Sequence, residues 1–164
     1  MSKPAAEMIH PRDTGLRTLD LKKPLFDEET LVRADHALQE LSADMRTWLR
    51  ADIQRLQAAR LAAEQDGWSI PALDVLFSVA HDIKGVGATY GSPLSTKLAA
   101  SLCRAIETDA GKAAARRDPS LVRAHVDALR AAVRERAQLT TQTIGFAVLR
   151  ELEARVEALG VAPR

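Results

Sequence analysis

Aromatic residues make up only 4% of this 164-residue chain, one cysteine is present, and the formal net charge is +1. A single cysteine excludes an intramolecular disulfide, and the place of Cys103 in a leucine-rich segment assigns it to packing rather than redox chemistry. Near-neutral charge, with a pI of about 8.0, argues against bulk electrostatic binding to nucleic acid. No apolar stretch approaches the roughly 20 residues needed to cross a bilayer, and the first residues hold lysine and proline without a hydrophobic signal core. The expectation is a cytoplasmic protein that engages neither membrane nor nucleic acid. His10, His36, His81 and His125 share no metal-ligand spacing, so no metal site is expected.

What the chain has in quantity is alanine and leucine, within a hydrophobic fraction of 46% and with few β-branched runs. That composition predicts an all-α protein with a single core. Residues 1–25 contain Pro4, Pro11, Gly15 and Pro24 with little periodicity, and are read as a flexible arm without assigned function. From Phe26 the pattern turns helical, so that 26–164 reads as one helical bundle domain. Asp27, Glu28 and Glu29 suit a first turn, and Leu31, Leu38 and Leu41 share a face. Ser42 either starts a second helix or bends the first. Met45, Trp48, Leu49, Ile53, Leu56 and Leu61 then mark a long helix ending near Asp66-Gly67.

A further helix holds His81. The next is predicted from Ser92 to Asp109, closed by Gly111, and Asp118-Pro119-Ser120 introduces another through Leu121, Val122, Val126, Leu129 and Val133. The polar stretch Thr140-Thr141-Gln142-Thr143 leads to a last helical segment, Phe146 to Leu159. Short connections favour antiparallel neighbours, hence an antiparallel up-and-down four-helix bundle with additional N- and C-terminal helices. Arg116, Arg117, Arg123, Arg130, Arg134 and Arg136 bias one segment toward positive charge. Asp118, Asp127 and Glu135 are interspersed, which favours a solvated face over an acidic-partner site.

The run His81-Asp82-Ile83-Lys84-Gly85-Val86-Gly87-Ala88-Thr89-Tyr90-Gly91 is the most informative segment, since it puts three glycines into an amphipathic helical pattern. Each glycine inside a helix costs roughly 1 kcal/mol relative to alanine. Leu73, Leu76, Phe77, Ala80, Ile83, Gly87 and Tyr90 form the apolar stripe, beginning just after Pro71. At about 100° per residue His81 falls off that stripe and shares its flank with Asp74, Ser78, Gly85 and Ala88, with Lys84 between flank and core. A neutral imidazole is a usable nucleophile near pH 7 toward an already activated group such as a phosphoryl. Once transferred, that group carries close to two negative charges, which an ammonium one turn away offsets. Gly85, four residues on, leaves room for a second protein to approach.

This pattern resembles the histidine phosphotransfer (HPt) domain family, whose motif runs H-x-x-K-G followed by a small residue, usually glycine, ten positions after the histidine. His81, Lys84, Gly85 and Gly91 occupy those positions, and Leu102-Cys103-Arg104-Ala105-Ile106-Glu107 is similar to the family's Cys-x-x-Leu-Glu ending, with Ile106 where leucine is commoner. The resemblance spans residues 73 to 107. It implies a relay in which the receiver domain of a hybrid sensor kinase phosphorylates His81 at the ring nitrogen farther from the backbone, and a response-regulator aspartate then takes the group. It further implies that Lys84 offsets the phosphate charge and that Gly85, Ala88, Ser78, Asp74 and Gly91 form the docking face. Mg2+ would sit in the partner receiver domain, with no cofactor bound by this chain. Such a protein is a monomeric phosphoryl carrier rather than an autonomous enzyme.

Other readings are weaker. A dinucleotide fingerprint needs a third glycine at Tyr90 and a preceding strand, and no Gly-Lys-Ser/Thr follows for a Walker loop. A scaffold that kept the bundle but lost phosphotransfer has no reason to keep His81, Lys84 and Gly85 together. A kinase-derived dimeric phosphotransferase requires an α/β domain, for which residues 108–164 offer no strand pattern.

Overall fold

The computed structural model describes residues 27–134 and 139–161. The arm read over 1–25, and Glu135 and Arg136 of the basic segment, lie outside the described residues. The described residues form six helices: α1 (Glu28–Gln65), α2 (Ile70–Val86), α3 (Pro93–Ile106), α4 (Asp109–Arg117), α5 (Ser120–Arg134) and α6 (Leu139–Leu159). No strand occurs among the described residues, so the all-α class stands and the region after Thr108 carries no α/β domain there.

Two compact units divide the chain, Met1–Gln39 and Glu40–Arg164. In the first, the described stretch is the opening of α1. Asp27 caps it, its Oδ1 accepting from the Thr30 amide at 2.8 Å, and those Thr30 contacts hold the Asp27 carboxyl below its ordinary range. Leu31, Val32 and Leu38 are exposed here. Ser42 does not start a second helix. Its hydroxyl accepts from Arg46 at 2.9 Å on the surface of an uninterrupted α1.

The second unit holds the core. Leu49, Ile53 and Leu56 of α1 share one buried cluster with Leu73, Leu76 and Ile83 of α2 and with buried residues of α3, α5 and α6. Helix α3 is the hub, packing against α2, α4, α5 and α6. It buries eight of its fourteen residues, among them Ser95, Ala99, Ser101 and Ala105, and small side chains of this kind let several helices approach one axis. Polar ties close the periphery. Arg104 of α3 pairs with Glu153 of α6 at 2.9 Å, and Glu64 of α1 accepts from Arg123 of α5 at 2.8 Å and from Arg60 at 2.6 Å. The Arg123 hydrogen bond is the main reason the Glu64 carboxyl sits below its ordinary range.

Two boundaries differ from the expectation. Gly111 does not close a helix ending at Asp109. The helix ends at Ile106, and Gly111 lies buried inside α4, where a Cβ would overlap the carbonyl oxygen of Ala105. Thr108 caps α4 by accepting from the Gly111 amide at 3.1 Å, while its hydroxyl donates to the Val161 carbonyl at 2.7 Å. Gly111 is there for close approach, and the Thr108 bond ties the α3–α4 junction to the end of α6. The last helix also begins earlier than Phe146, at Leu139.

Candidate functional site

Ser69 caps the start of α2, its hydroxyl accepting from the Ala72 amide at 3.3 Å, and Pro71 fits the first turn because its missing N–H would have no helical partner. Leu73, Leu76, Ala80 and Ile83 are fully buried at the spacing of one stripe. That packing fixes the rotation of the helix and turns Asp74, Ser78, His81 and Gly85 to the surface, all of them exposed. Lys84 is exposed at the edge of this face. Its ammonium is close enough to Cys103 of α3 to act against the burial that pushes that thiol up to about 11, so Cys103 is an inert, buried thiol.

His81 and Lys84 form no hydrogen bond or ion pair with the described residues. The one ring contact of His81 among them is with Phe77, a turn earlier on α2, at 5.9 Å between centroids and a tilt of 32°. Asp74, in contrast, is engaged: Lys112 of α4 donates to its carboxylate across the face. Lys112 was not legible as a site neighbour, because the pairing joins residues 38 positions apart. On the opposite border Arg55 of α1 pairs with Asp52 at 2.6 Å and feels the charge of Asp82.

The three glycines separate into three physical cases. Gly85 alone lies within α2, and a Cβ there would meet nothing within 4 Å. Gly87 caps the helix and is buried, and a Cβ would stand 2.7 Å from Thr96 Oγ1 and 3.2 Å from the Thr96 amide nitrogen, at the point where α2 meets the start of α3. Gly91 has φ of 67°. The Ser92 amide donates to the Gly87 carbonyl at 2.8 Å and the Gly91 amide to that of Ala88 at 2.9 Å, the pair of bonds that closes a helical end around a left-handed residue. The expectation of three glycines inside a helix is therefore corrected to one. Gly91 and Ala88 are both exposed, but Gly91 has a sufficient reason in the backbone.

For His125 the sequence pattern shows only a lack of metal-ligand spacing. It is fully buried, with Nδ1 donating to the Leu121 carbonyl at 2.8 Å and Nε2 accepting from the Ser101 hydroxyl at 2.9 Å. A carbonyl can only accept, which fixes the neutral Nδ1–H tautomer. Burial chiefly, with the Arg104 charge adding to it, lowers this imidazole to about 4. Its position between Val122 and Leu129 on the apolar stripe of α5 was the available signal.

No family model, curated protein or solved structure matches the chain. The geometry itself limits the chemistry. Among the described residues no group of three or more His, Cys, Asp and Glu is placed to hold a metal ion, and no helix is long and apolar enough to cross a membrane. Three cavities of about 440, 460 and 540 Å³, the first of them between α3, α4, α5 and α6, are lined by none of the α2 residues. His81 stands on an open helical face. Such a face suits reaction with a group presented by another macromolecule better than enclosure of a small substrate.

Proposed function

We propose that this protein carries a phosphoryl group on His81 between aspartates of two receiver domains, those of a hybrid sensor kinase and of a response regulator. The observation that carries the reading is Gly85. It lies in a helix, on the surface, with open space where its side chain would be, and it gives up roughly 1 kcal/mol of helix stability that alanine would recover. Gly87 and Gly91 have reasons in packing and backbone geometry. Gly85 has none, and it stands one turn from an exposed imidazole.

In the forward step a ring nitrogen of His81 attacks the phosphorus of an aspartyl phosphate. The N–P bond forms as the P–O bond to the aspartate breaks, the carboxylate leaves, and the ring proton passes to solvent. Lys84, at the three-residue spacing, offsets the charge of the transferred group. Bare backbone at Gly85 lets the partner's aspartate reach the phosphorus, with Ser78 and Ala88 on the same docking face and Asp74 held at its edge by Lys112. Mg2+ and most catalytic groups belong to the receiver domain, so this chain is a carrier, not an enzyme, and works as a cytoplasmic monomer. The fold that goes with the reading is an up-and-down four-helix bundle of the second half of α1 with α2, α3 and α5, to which the start of α1 and α6 are terminal additions.

The test is receiver-dependent transfer from a panel of radiolabelled hybrid kinases, with His81→Gln beside the wild type. Acid-labile, alkali-stable label on the wild type alone is the expected result. Equal labelling of both proteins would remove His81 from the chemistry.

A further inference from the structure

An exposed histidine on a helix can exchange among several side-chain rotamers, yet a nucleophile must be held near its attack geometry to react efficiently. Reactive imidazoles are commonly oriented by a hydrogen bond from the second ring nitrogen to a carboxylate or carbonyl. His81 has no such partner among the described residues. The ring of Phe77 lies beside it instead, 5.9 Å between centroids and tilted by 32°. Phe77 is itself only partly exposed and packs against the core cluster, so the ring beside the imidazole is anchored in the fold. The four-residue spacing along α2 makes this contact a property of the helix rather than of a mobile loop.

We infer that Phe77 is a positioning residue for His81: its ring, fixed by the core, limits the rotation of the imidazole and presents the nucleophilic nitrogen to an incoming phosphoryl group. The inference deepens the phosphoryl-carrier reading and rests on it for its biological use, but the contact acts on the reactivity of His81 toward any phosphoryl donor. Packing takes the place of a hydrogen-bonded orienting group. It leaves both ring nitrogens without a partner among the described residues, which suits a residue that must bond to phosphorus through one nitrogen and lose a proton from the other. Immobilising a rotamer-rich side chain corresponds to a factor of about 3 to 10 in rate.

Phosphoramidate tests this without any partner protein. His81 attacks its phosphorus, the P–N bond of the donor breaks, and the amine leaves as ammonium with the proton that the imidazole gives up. Phe77→Leu keeps an apolar side chain in the core and removes the ring, whereas Phe77→Tyr keeps the ring. The expected result is a rate of His81 labelling about 3 to 10 times lower in the leucine variant and restored in the tyrosine variant, with unchanged helicity by circular dichroism. In the unphosphorylated protein, the ring-current shift of the His81 carbon-bound protons should vanish with leucine and return with tyrosine. Equal labelling rates for wild type and Phe77→Leu overturn the inference, as does absence of the ring-current shift in the wild type. Failure of transfer from aspartyl-phosphate donors, with the phosphoramidate results as expected, would overturn the relay reading alone and leave the role of Phe77 standing.

Discussion

His81 and His125 occupy the two extremes that a histidine can take in one fold. His125 is sealed between α5 and α3, both ring nitrogens are satisfied, and burial lowers it to about 4. His81 is exposed on α2, with a phenyl ring beside it and no hydrogen bond to the described residues. A buried, satisfied imidazole has no lone pair to offer and no route for a partner, so its worth is structural. An exposed and unsatisfied one contributes little to stability and keeps its nucleophilic nitrogen available. Residue type alone therefore says little, and the face of the helix decides.

The sharpest way to break this comparison is to exchange the effects. His81→Gln should abolish phosphoryl acceptance while shifting stability by no more than about 0.5 kcal/mol, the range of ordinary surface substitutions. His125→Gln should do the reverse, unfolding at lower denaturant because it disturbs a buried pair with Ser101, while the folded fraction still accepts phosphate. Acid sharpens the same contrast. With a folded value near 4 against an ordinary 6.5, His125 binds its proton more readily in the unfolded chain. Its stability contribution is complete above about pH 6.5 and is lost as pH falls toward 4, amounting to about 2 kcal/mol by pH 5. Denaturant midpoints at pH 7 and pH 5 should show this loss in the wild type and not in His125→Gln. An equal loss in both would place the acid sensitivity elsewhere.

Next in size is Lys84. Its replacement by alanine should slow transfer by about one to two orders of magnitude, or roughly 1.4 to 2.7 kcal/mol at the barrier, with stability unaffected because Lys84 has no ion pair among the described residues to lose. Transfer kinetics beside a thermal melt separate the two. Unchanged kinetics would leave His81 without an electrostatic helper on its own chain.

Much of this was legible from periodicity. The stripe Leu73, Leu76, Ala80 and Ile83 fixed which face of α2 is buried, and hence that His81, Ser78 and Gly85 are not. Helix α4 was missed because Asp109–Arg117 is nine residues of mostly alanine and charge, without a leucine to mark a face, and because Gly111 imitates a terminator. The Asp74–Lys112 pair and the His125–Ser101 bond join residues far apart in sequence, and spacing along one helix carries no trace of them. Least legible was the meaning of the glycines. Gly85, Gly87, Gly91 and Gly111 are the same letter, and only the surrounding atoms distinguish open space, close approach, a left-handed turn and contact with a carbonyl.

That distinction gives the smallest and most specific prediction. Gly87→Ala forces a methyl group against Thr96 and should destabilise the protein by about 1 to 3 kcal/mol. Gly85→Ala meets nothing, so it should stabilise by about 0.5 to 1 kcal/mol through helix propensity and a less flexible unfolded chain. Gly85→Gln should keep most of that gain yet impair transfer, chiefly by raising the KM for the phosphorylated receiver, because its side chain fills the approach to His81. Thermal melts give the sign for each variant, and saturation kinetics with the receiver give the second half. A Gly85→Gln protein that is more stable and transfers normally would show that the open space above His81 serves no partner, and the strongest support for the phosphoryl-carrier reading would be gone. A protein that gains stability and loses docking would show why a helix keeps a glycine that nothing in its own packing requires.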